Sequence, residues 1–186
     1  MKTMRQTYQT VAIPQLKEAF GYKSVMAVPK IEKVVINTSF GRLTAGKTKG
    51  EAEALAENIL KDLAVIAGQK PSLTAARKSI ASFKLRKGVP VGAKVQLRKK
   101  RMEDFLSRLI HAVLPRSRDF QGLSLKAVDE AGNLTIGIKE HIFFPEISLE
   151  SVKSIFGLEV TIVTTAKSRE EAVKLFEAMG FPMEKH

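Results

Sequence analysis

The stretch GRLTAGKT at residues 41–48 has the residue types and the spacing of a phosphate-binding P-loop, G-x-x-x-x-G-K-[ST]. In such a loop, successive backbone N–H groups surround a phosphate, and a helix begins at the Lys-Ser/Thr pair. Lys47 and Thr48 would then meet the phosphates and their Mg²⁺ ion. One hypothesis is therefore a small P-loop nucleotide-binding protein that uses residues 41–48.

The neighbours of this stretch argue against a nucleotide site. The strand predicted before it ends near Asn37, but the helix predicted after it begins near Glu51, later than a P-loop requires. Glu51 and Glu53 also place two carboxylates where a phosphate would lie. Furthermore, no second predicted strand ends at an aspartate suited to hold Mg²⁺. We favour a basic loop over a nucleotide site.

Other patterns typical of catalysis or metal binding are weaker still. The chain has no cysteine, which excludes disulfides and thiolate zinc sites and fits a reducing compartment. Its three histidines, His111, His141 and His186, lack metal-ligand spacing. His111 is expected on the polar side of a helix, and His141 is expected to be structural. We therefore expect no enzyme activity, no cofactor and no metal.

The distribution of charge is more informative. The chain has 186 residues and a formal net charge of +12. No acidic residue occurs between Asp62 and Glu103, and eleven of the 31 basic residues lie in the segment 70–101, here called the basic segment. Interleaved apolar residues are expected to anchor this segment on a core. A folded basic surface favours nucleic acid as the partner over a membrane or an acidic protein.

The predicted elements give a mixed α+β domain. Helices are expected over 4–20, where Pro14 would kink the chain, over 51–67, over 102–114 and from Arg169 to about Met179. Strands are expected over 31–37, 91–98 and 158–164, and a hairpin is expected to join 123–128 to 134–139. We predict a single two-layer domain over 1–186, with an antiparallel-rich sheet, helices on one face and a projecting basic loop.

The aromatic content narrows the kind of nucleic acid. Only 6% of the residues are aromatic, and Phe83 is the sole aromatic residue of the basic segment. This is too little for binding single strands on a stacking platform. Recognition of a folded RNA through phosphates, 2′-hydroxyls and shape is favoured instead. No apolar run approaches the length of a membrane span, so we expect a cytoplasmic protein.

Several long motifs resemble a known family. GQKP, ARKSIASFKLRKGVPVG, KVQLRKKRM, LPRSRDFQGL and GLEVTIVTTAKSREEA are similar to bacterial members of the ribosomal protein five family of the large subunit. The resemblance covers about residues 8–181. It implies a structural protein that binds 5S rRNA, anchors it in the central protuberance and contacts the elbow of the P-site tRNA. It also implies an intersubunit bridge with small-subunit protein thirteen.

The resemblance also implies which side chains meet RNA. The rRNA-binding set is Asn37, Gln69, Lys94, Gln96 and Arg98. The loop that contacts tRNA is placed at about 73–83, with Thr74, Arg77, Lys78 and Ser79. Independently of the resemblance, the basic loop after the strand that ends near Asn37 places Arg42, Lys47 and Lys49 beside this surface, and secondary phosphate contacts are assigned to them. Amides can donate to and accept from bases, while cations neutralise phosphates. For Asn37, a loop cap is the alternative role.

The chain departs from the family pattern at a few positions. NTSFGR stands where a Gly-rich acidic turn is usual, and EAGNL replaces G-R-G-N-Y. Gln96 replaces a threonine expected at the RNA, and Lys99-Lys100 replace Gly-Glu. These changes add positive charge, so individual contacts are expected to differ while the overall role stays the same.

Overall fold

The computed structural model of the chain describes residues 3–44, 47–83, 85–118, 120–148, 150 and 152–184. The strands are β1 (Ile31–Ser39), β2 (Ser72–Ala75), β3 (Pro90–Leu97), β4 (Leu134–Ile138) and β5 (Leu158–Thr164). The α-helices are α1 (Met4–Thr7), α2 (Ile13–Phe20), α3 (Gly41–Thr44), α4 (Lys49–Ala67), α5 (Lys99–Arg108), α6 (Leu114–Arg116) and α7 (Arg169–Ala178).

The five strands form one antiparallel sheet in the order β2-β3-β1-β5-β4. In β1, Val34 and Ile36 are buried while Asn37 and Ser39 are exposed. The same alternation in β3, β4 and β5 gives the sheet one covered and one open face. The predicted α+β class is therefore confirmed.

The chain divides into two compact units. The first comprises Met1–Val35, Leu97–Ile136 and Val160–His186, and the second comprises Ile36–Gln96 and Gly137–Glu159. Fully buried side chains of the first include Leu16, Leu97, Phe105, Leu106, Leu109 and Phe176. Those of the second include Ile36, Phe40, Ile59, Leu63, Ile66 and Phe144. The single-domain description of 1–186 stays a prediction.

Two helices accommodate an internal proline through the same device. Five-residue π-helical turns, Tyr8–Ala12 and Leu109–Val113, precede α2 and α6, where Pro14 and Pro115 lie in the first turn. Proline has no N–H to donate to the carbonyl four residues back, so the wider π turn keeps the helix continuous. The helix was predicted to end at Leu114, before Pro115, but it continues through the proline to Arg116.

The periodicity of apolar residues predicted the buried face of the 102–114 helix correctly. All seven residues of that face are buried: Met102, Phe105, Leu106, Leu109, Ile110, Val113 and Leu114. The predicted hairpin that joins 123–128 to 134–139 is wrong, however, because its first arm contains a 3-10 turn, Leu125–Ala127. That arm meets β4 through a single bridge, Val128 to Leu134, while Leu123 pairs with Met183 instead. Among the described residues, none of the helices combines the length and apolar character that crossing a bilayer requires.

Candidate nucleic-acid interface

The open sheet face of the second unit carries three of the predicted RNA-binding side chains. Asn37 on β1 and Lys94 and Gln96 on β3 are exposed. Their neighbours along the strands, Ile36 on β1 and Val95 on β3, are buried. Because strand side chains alternate between faces, the burial of the apolar residues turns the polar ones outward. We call Asn37, Lys94 and Gln96 the open-face set.

Asn37 is an internal strand residue and does not cap a loop. β1 was predicted to end at Asn37 but continues to Ser39, and within the described part of the chain the Asn37 amide makes no hydrogen bond. An exposed amide on a paired strand has a fixed backbone and an unoccupied donor and acceptor. That combination suits contacts to RNA.

Gln69 lies beside the open-face set because of how α4 ends. Gly68 takes the left-handed conformation (φ 63°) that terminates the helix, and the next residue turns toward β3. There the Gln69 Nε2 donates to the backbone carbonyl of Gln96 at 3.2 Å. This hydrogen bond holds Gln69 against β3, next to Gln96, another member of the predicted rRNA-binding set.

Arg98 belongs to the first unit and is already paired. Its Nη1 lies 2.9 Å from Oε1 of Glu32, and both side chains are roughly half exposed (49% and 43%). An exposed pair of this kind contributes little to stability, so RNA phosphates can replace the carboxylate at small cost. The next residue, Lys99, has a φ of 53°, which is the left-handed region.

The projecting loop is part of a hydrogen-bonded ribbon formed by residues 76–83 and 85–89, here called the ribbon. Ile80 and Leu85 exchange backbone hydrogen bonds of 2.9 and 3.1 Å, and Ala76 N–H donates to the Val89 carbonyl at 2.9 Å. Arg77 and Lys78 are exposed at its bend. The paired backbone on either side fixes the position of these two exposed cations, and their contact with tRNA stays a prediction.

Two of the four residues assigned to this loop are differently placed. Thr74 lies in β2, opposite Gly92 of β3, and its buried hydroxyl has no hydrogen-bond partner among the described residues. It is thus a strand residue, because the loop begins only after Ala75. The Ser79 Oγ accepts a 2.9 Å hydrogen bond from the Lys87 N–H, so this hydroxyl stabilises the ribbon.

The GRLTAGKT stretch does not have the geometry of a P-loop. α4 begins at Lys49, after the Lys47–Thr48 pair, and Thr48 is its N-cap. The Glu51 Oε2 accepts from Thr48 N–H at 3.0 Å and from Thr48 Oγ1 at 2.7 Å. These bonds hold the pKa of Glu51 below its ordinary value of 4.5, so a carboxylate occupies the position of a bound phosphate.

The three cations assigned to secondary phosphate contacts lie around this helix start. Arg42 is exposed on α3, and Lys47 is exposed before Thr48. Lys49 is the first residue of α4, but its side chain lies outside the described residues, as do Ala45 and Gly46 of the motif.

One histidine takes the structural role expected of it. His141 is buried, stacks on Phe156 and lies near Asp62, with 3.6 Å between Nε2 and the carboxylate. His111 is exposed, and His186 lies outside the described residues. In the part of the chain that the structure describes, no cluster of three or more His, Asp or Glu side chains is arranged to hold a metal.

The sequence misled us about the apolar residues of the basic segment. They were expected to anchor it on a core, and Val95 and Leu97 are indeed buried. Four others are not, since Leu73, Ile80, Phe83 and Val89 are 50%, 40%, 70% and 40% exposed. The turn-forming Gly88 and Pro90 were a signal that this part of the chain leaves the core. An exposed Phe83 beside exposed cations is a surface that the sequence reasoning did not assign.

An antiparallel α+β fold whose open sheet face carries amides and cations, with a basic ribbon beside it, is of the class that binds structured RNA. Residues 24–86 match the ribosomal protein L5 family, and residues 90–183 match the ribosomal L5 family C-terminus. The chain belongs to the ribosomal protein L5 family.

Relatives of similar length agree with this membership. The chain is 49% identical over 182 residues to the large ribosomal subunit protein uL5 of Desulforapulum autotrophicum, and 46% identical over 182 residues to that of Halothermothrix orenii. In both comparisons the match covers 98% of each chain. It is 48% identical over 185 residues to the Thermoanaerobacter protein, covering 100% of both.

Family membership confirms the general prediction. The protein is a structural, non-enzymatic component of the large ribosomal subunit, and its partner is ribosomal RNA. The predicted location on the cytoplasmic ribosome is confirmed as well.

Proposed function

We propose that this protein binds 5S rRNA and anchors it in the central protuberance of the large subunit. The projecting ribbon contacts the elbow of the P-site tRNA, and the protein forms an intersubunit bridge with small-subunit ribosomal protein thirteen. The family resemblance supports the choice of these partners. The chemistry of the exposed side chains supports RNA as the ligand.

The observation that carries the proposal is the open-face set of the second unit. Asn37 and Gln96 offer amides to base edges and 2′-hydroxyls, and Lys94 offers a charge to a phosphate. Paired strands hold all three, so little entropy is lost on binding. In the first unit, Arg98 is a separate predicted contact, and its present partner is an exposed carboxylate.

Filter binding to 5S rRNA over a series of salt concentrations tests the first part. The wild-type affinity is expected to fall steeply with salt, because phosphate contacts release counterions. Lys94→Ala and Arg98→Ala should each lower the salt slope by about one counterion. Lys174→Ala removes an exposed cation of α7 that is paired with Glu177, and it serves as the matched control with unchanged binding.

Asn37→Ala separates base or ribose contacts from phosphate contacts. It should weaken 5S rRNA binding without changing the salt slope, because no charge is removed. Unchanged affinity for Asn37→Ala and Arg98→Ala together would refute the assigned site. A wild-type protein without affinity for 5S rRNA would refute the function.

The tRNA contact depends on the two exposed cations of the ribbon, Arg77 and Lys78. Ribosomes reconstituted with the Arg77→Ala, Lys78→Ala double variant should retain 5S rRNA but bind P-site tRNA more weakly. Lys174→Ala on α7, which removes a cation paired with Glu177, is the control. Equal tRNA occupancy in both would contradict the contact.

Cross-linking in assembled ribosomes tests the bridge, and the absence of cross-links to small-subunit protein thirteen would refute it.

A further inference from the structure

A cavity of about 600 Å³ lies between α3, α4 and the ribbon, entirely within the second unit. Its apolar walls come from Ala56 and Leu60 of α4, Leu73 of β2, and Leu85 and Val89 of the ribbon. Phe83 lines it as well and is 70% exposed. A volume of this size is within the range of small-molecule sites, and a single nucleotide fits in it.

Charge around this cavity favours a polyanion over an apolar peptide. Lys47 and Arg86 line the cavity, and Arg77, Lys78 and Lys87 are exposed on the same ribbon. Glu53 and Glu57 of α4 line the cavity too, so these five cations outnumber the two carboxylates. The Glu57 carboxylate is paired with Lys61 in an exposed ion pair and can exchange that partner for an exocyclic amino group of a base, while the cations meet the flanking phosphates.

We propose that this cavity receives one unpaired nucleobase of a bound RNA, stacked on the ring of Phe83. The base comes either from 5S rRNA or from tRNA, and the site thus rests on the proposed RNA-binding function. Unpaired bases that are splayed out of an RNA fold are commonly bound on aromatic side chains. The hydrogen bonds between Ile80 and Leu85 hold the ribbon in place, so the ring is positioned before the base arrives.

A free nucleoside triphosphate is a poorer occupant. The start of α4, which would bind its phosphates, is already capped by the Glu51 carboxylate. A base attached to an RNA needs no such site, because its phosphates remain outside the cavity on the exposed cations.

The absence of tryptophan from the chain makes a direct test simple. Phe83→Trp gives a single tryptophan, which can be excited selectively over the two tyrosines and keeps the stacking surface. Val65→Trp, at a 52% exposed position of α4 that does not line the cavity, is the control. Each variant is titrated with 5S rRNA and, separately, with tRNA. Quenching of the Phe83→Trp emission by one RNA, with the control unchanged, is expected and identifies the source of the base.

Phe83→Leu distinguishes stacking from apolar docking. Leucine keeps an apolar side chain without a π face, so the affinity for the RNA that quenches Phe83→Trp should fall roughly tenfold, as for loss of one stacked base. Phe83→Tyr should bind like the wild type. Since the side chain is exposed, circular dichroism should show all these variants folded.

Two results would overturn the cavity proposal alone. These are wild-type affinity for Phe83→Leu, as expected if an apolar peptide is the true occupant, and an unquenched Phe83→Trp with both RNAs. In either case the wild-type protein would still bind 5S rRNA with steep salt dependence. Loss of that wild-type binding would instead refute the proposed function itself.

Discussion

The buried His141 leads to a specific prediction about stability and pH. The ring is 0% exposed, its centroid lies 4.0 Å from that of Phe156, and its Nδ1 accepts from the Phe156 N–H at 3.4 Å. Burial lowers the pKa of His141 below its ordinary value of 6.5, and the nearby Asp62 carboxylate only partly opposes this. The folded protein therefore keeps His141 neutral at pH values where the unfolded chain is protonated.

The sign and the size of the effect follow from this difference in protonation. Above pH 6.5 both states are neutral at His141, and the full stability is present. As the pH falls below 6.5, the unfolded chain binds a proton that the folded protein does not, so stability is lost until the folded-state pKa is reached. One proton corresponds to a slope of at most about 1.4 kcal/mol per pH unit.

Urea unfolding of the wild type and of His141→Gln between pH 5.5 and 8 measures this slope. At pH 8 the variant should be less stable by about 1–3 kcal/mol, because the Phe156 N–H loses its acceptor. The difference between the two proteins should shrink as the pH falls below 6.5. His111→Gln, at an exposed histidine, is the matched control for replacing a histidine by glutamine. A difference that is constant with pH would refute the reasoning.

The remaining predictions concern the backbone. Gly92→Ala should destabilise the fold by about 3 kcal/mol in urea unfolding, because a Cβ would lie 2.6 Å from the Thr38 carbonyl oxygen. Thr48→Ala should lower the free energy of unfolding by about 1 kcal/mol through loss of the α4 N-cap. Lys99→Gly should raise the thermal midpoint, with a gain of about 1 kcal/mol, because glycine relieves the left-handed φ of 53°.

Each of these has an outcome that would contradict it. Wild-type stability for Gly92→Ala would mean that β1 and β3 separate easily at this point. Thr10→Ala, at an exposed position within a helical turn, is the control for Thr48→Ala. If both variants are neutral, the cap contributes nothing to stability. A lower thermal midpoint for Lys99→Gly would show that the lysine side chain stabilises the fold by more than its backbone conformation costs.

Elements with strong local patterns were predicted well. The apolar face of the 102–114 helix and the strand Leu158–Thr164 depend on residue periodicity, and burial on one side of a helix or sheet imposes that periodicity. The Ser168 cap of α7 is equally local, since its Oγ accepts from the Glu171 N–H three residues on. The family resemblance was also contained in the sequence, because its motifs are long.

The misses concern residues whose structure depends on distant partners. β2 was taken for loop because its four residues have no alternation of their own, and only pairing with β3 makes them a strand. The sequence GRLTAGKT matches the P-loop pattern. Whether the following helix start can bind phosphate depends on the Glu51 carboxylate, which already occupies it. Exposure of Phe83 could not be read from an apolar residue type alone.

By itself, then, the sequence determined the α+β class, the RNA-binding character and the family, since composition, charge and local periodicity depend only on the order of residues. Only the tertiary structure decided which side chains share a surface. It turned Asn37, Lys94 and Gln96 outward, paired Arg98 with Glu32 and opened the cavity beside Phe83. These arrangements arise when strands far apart in sequence pair and bury their apolar sides, which leaves the polar side chains on the opposite face.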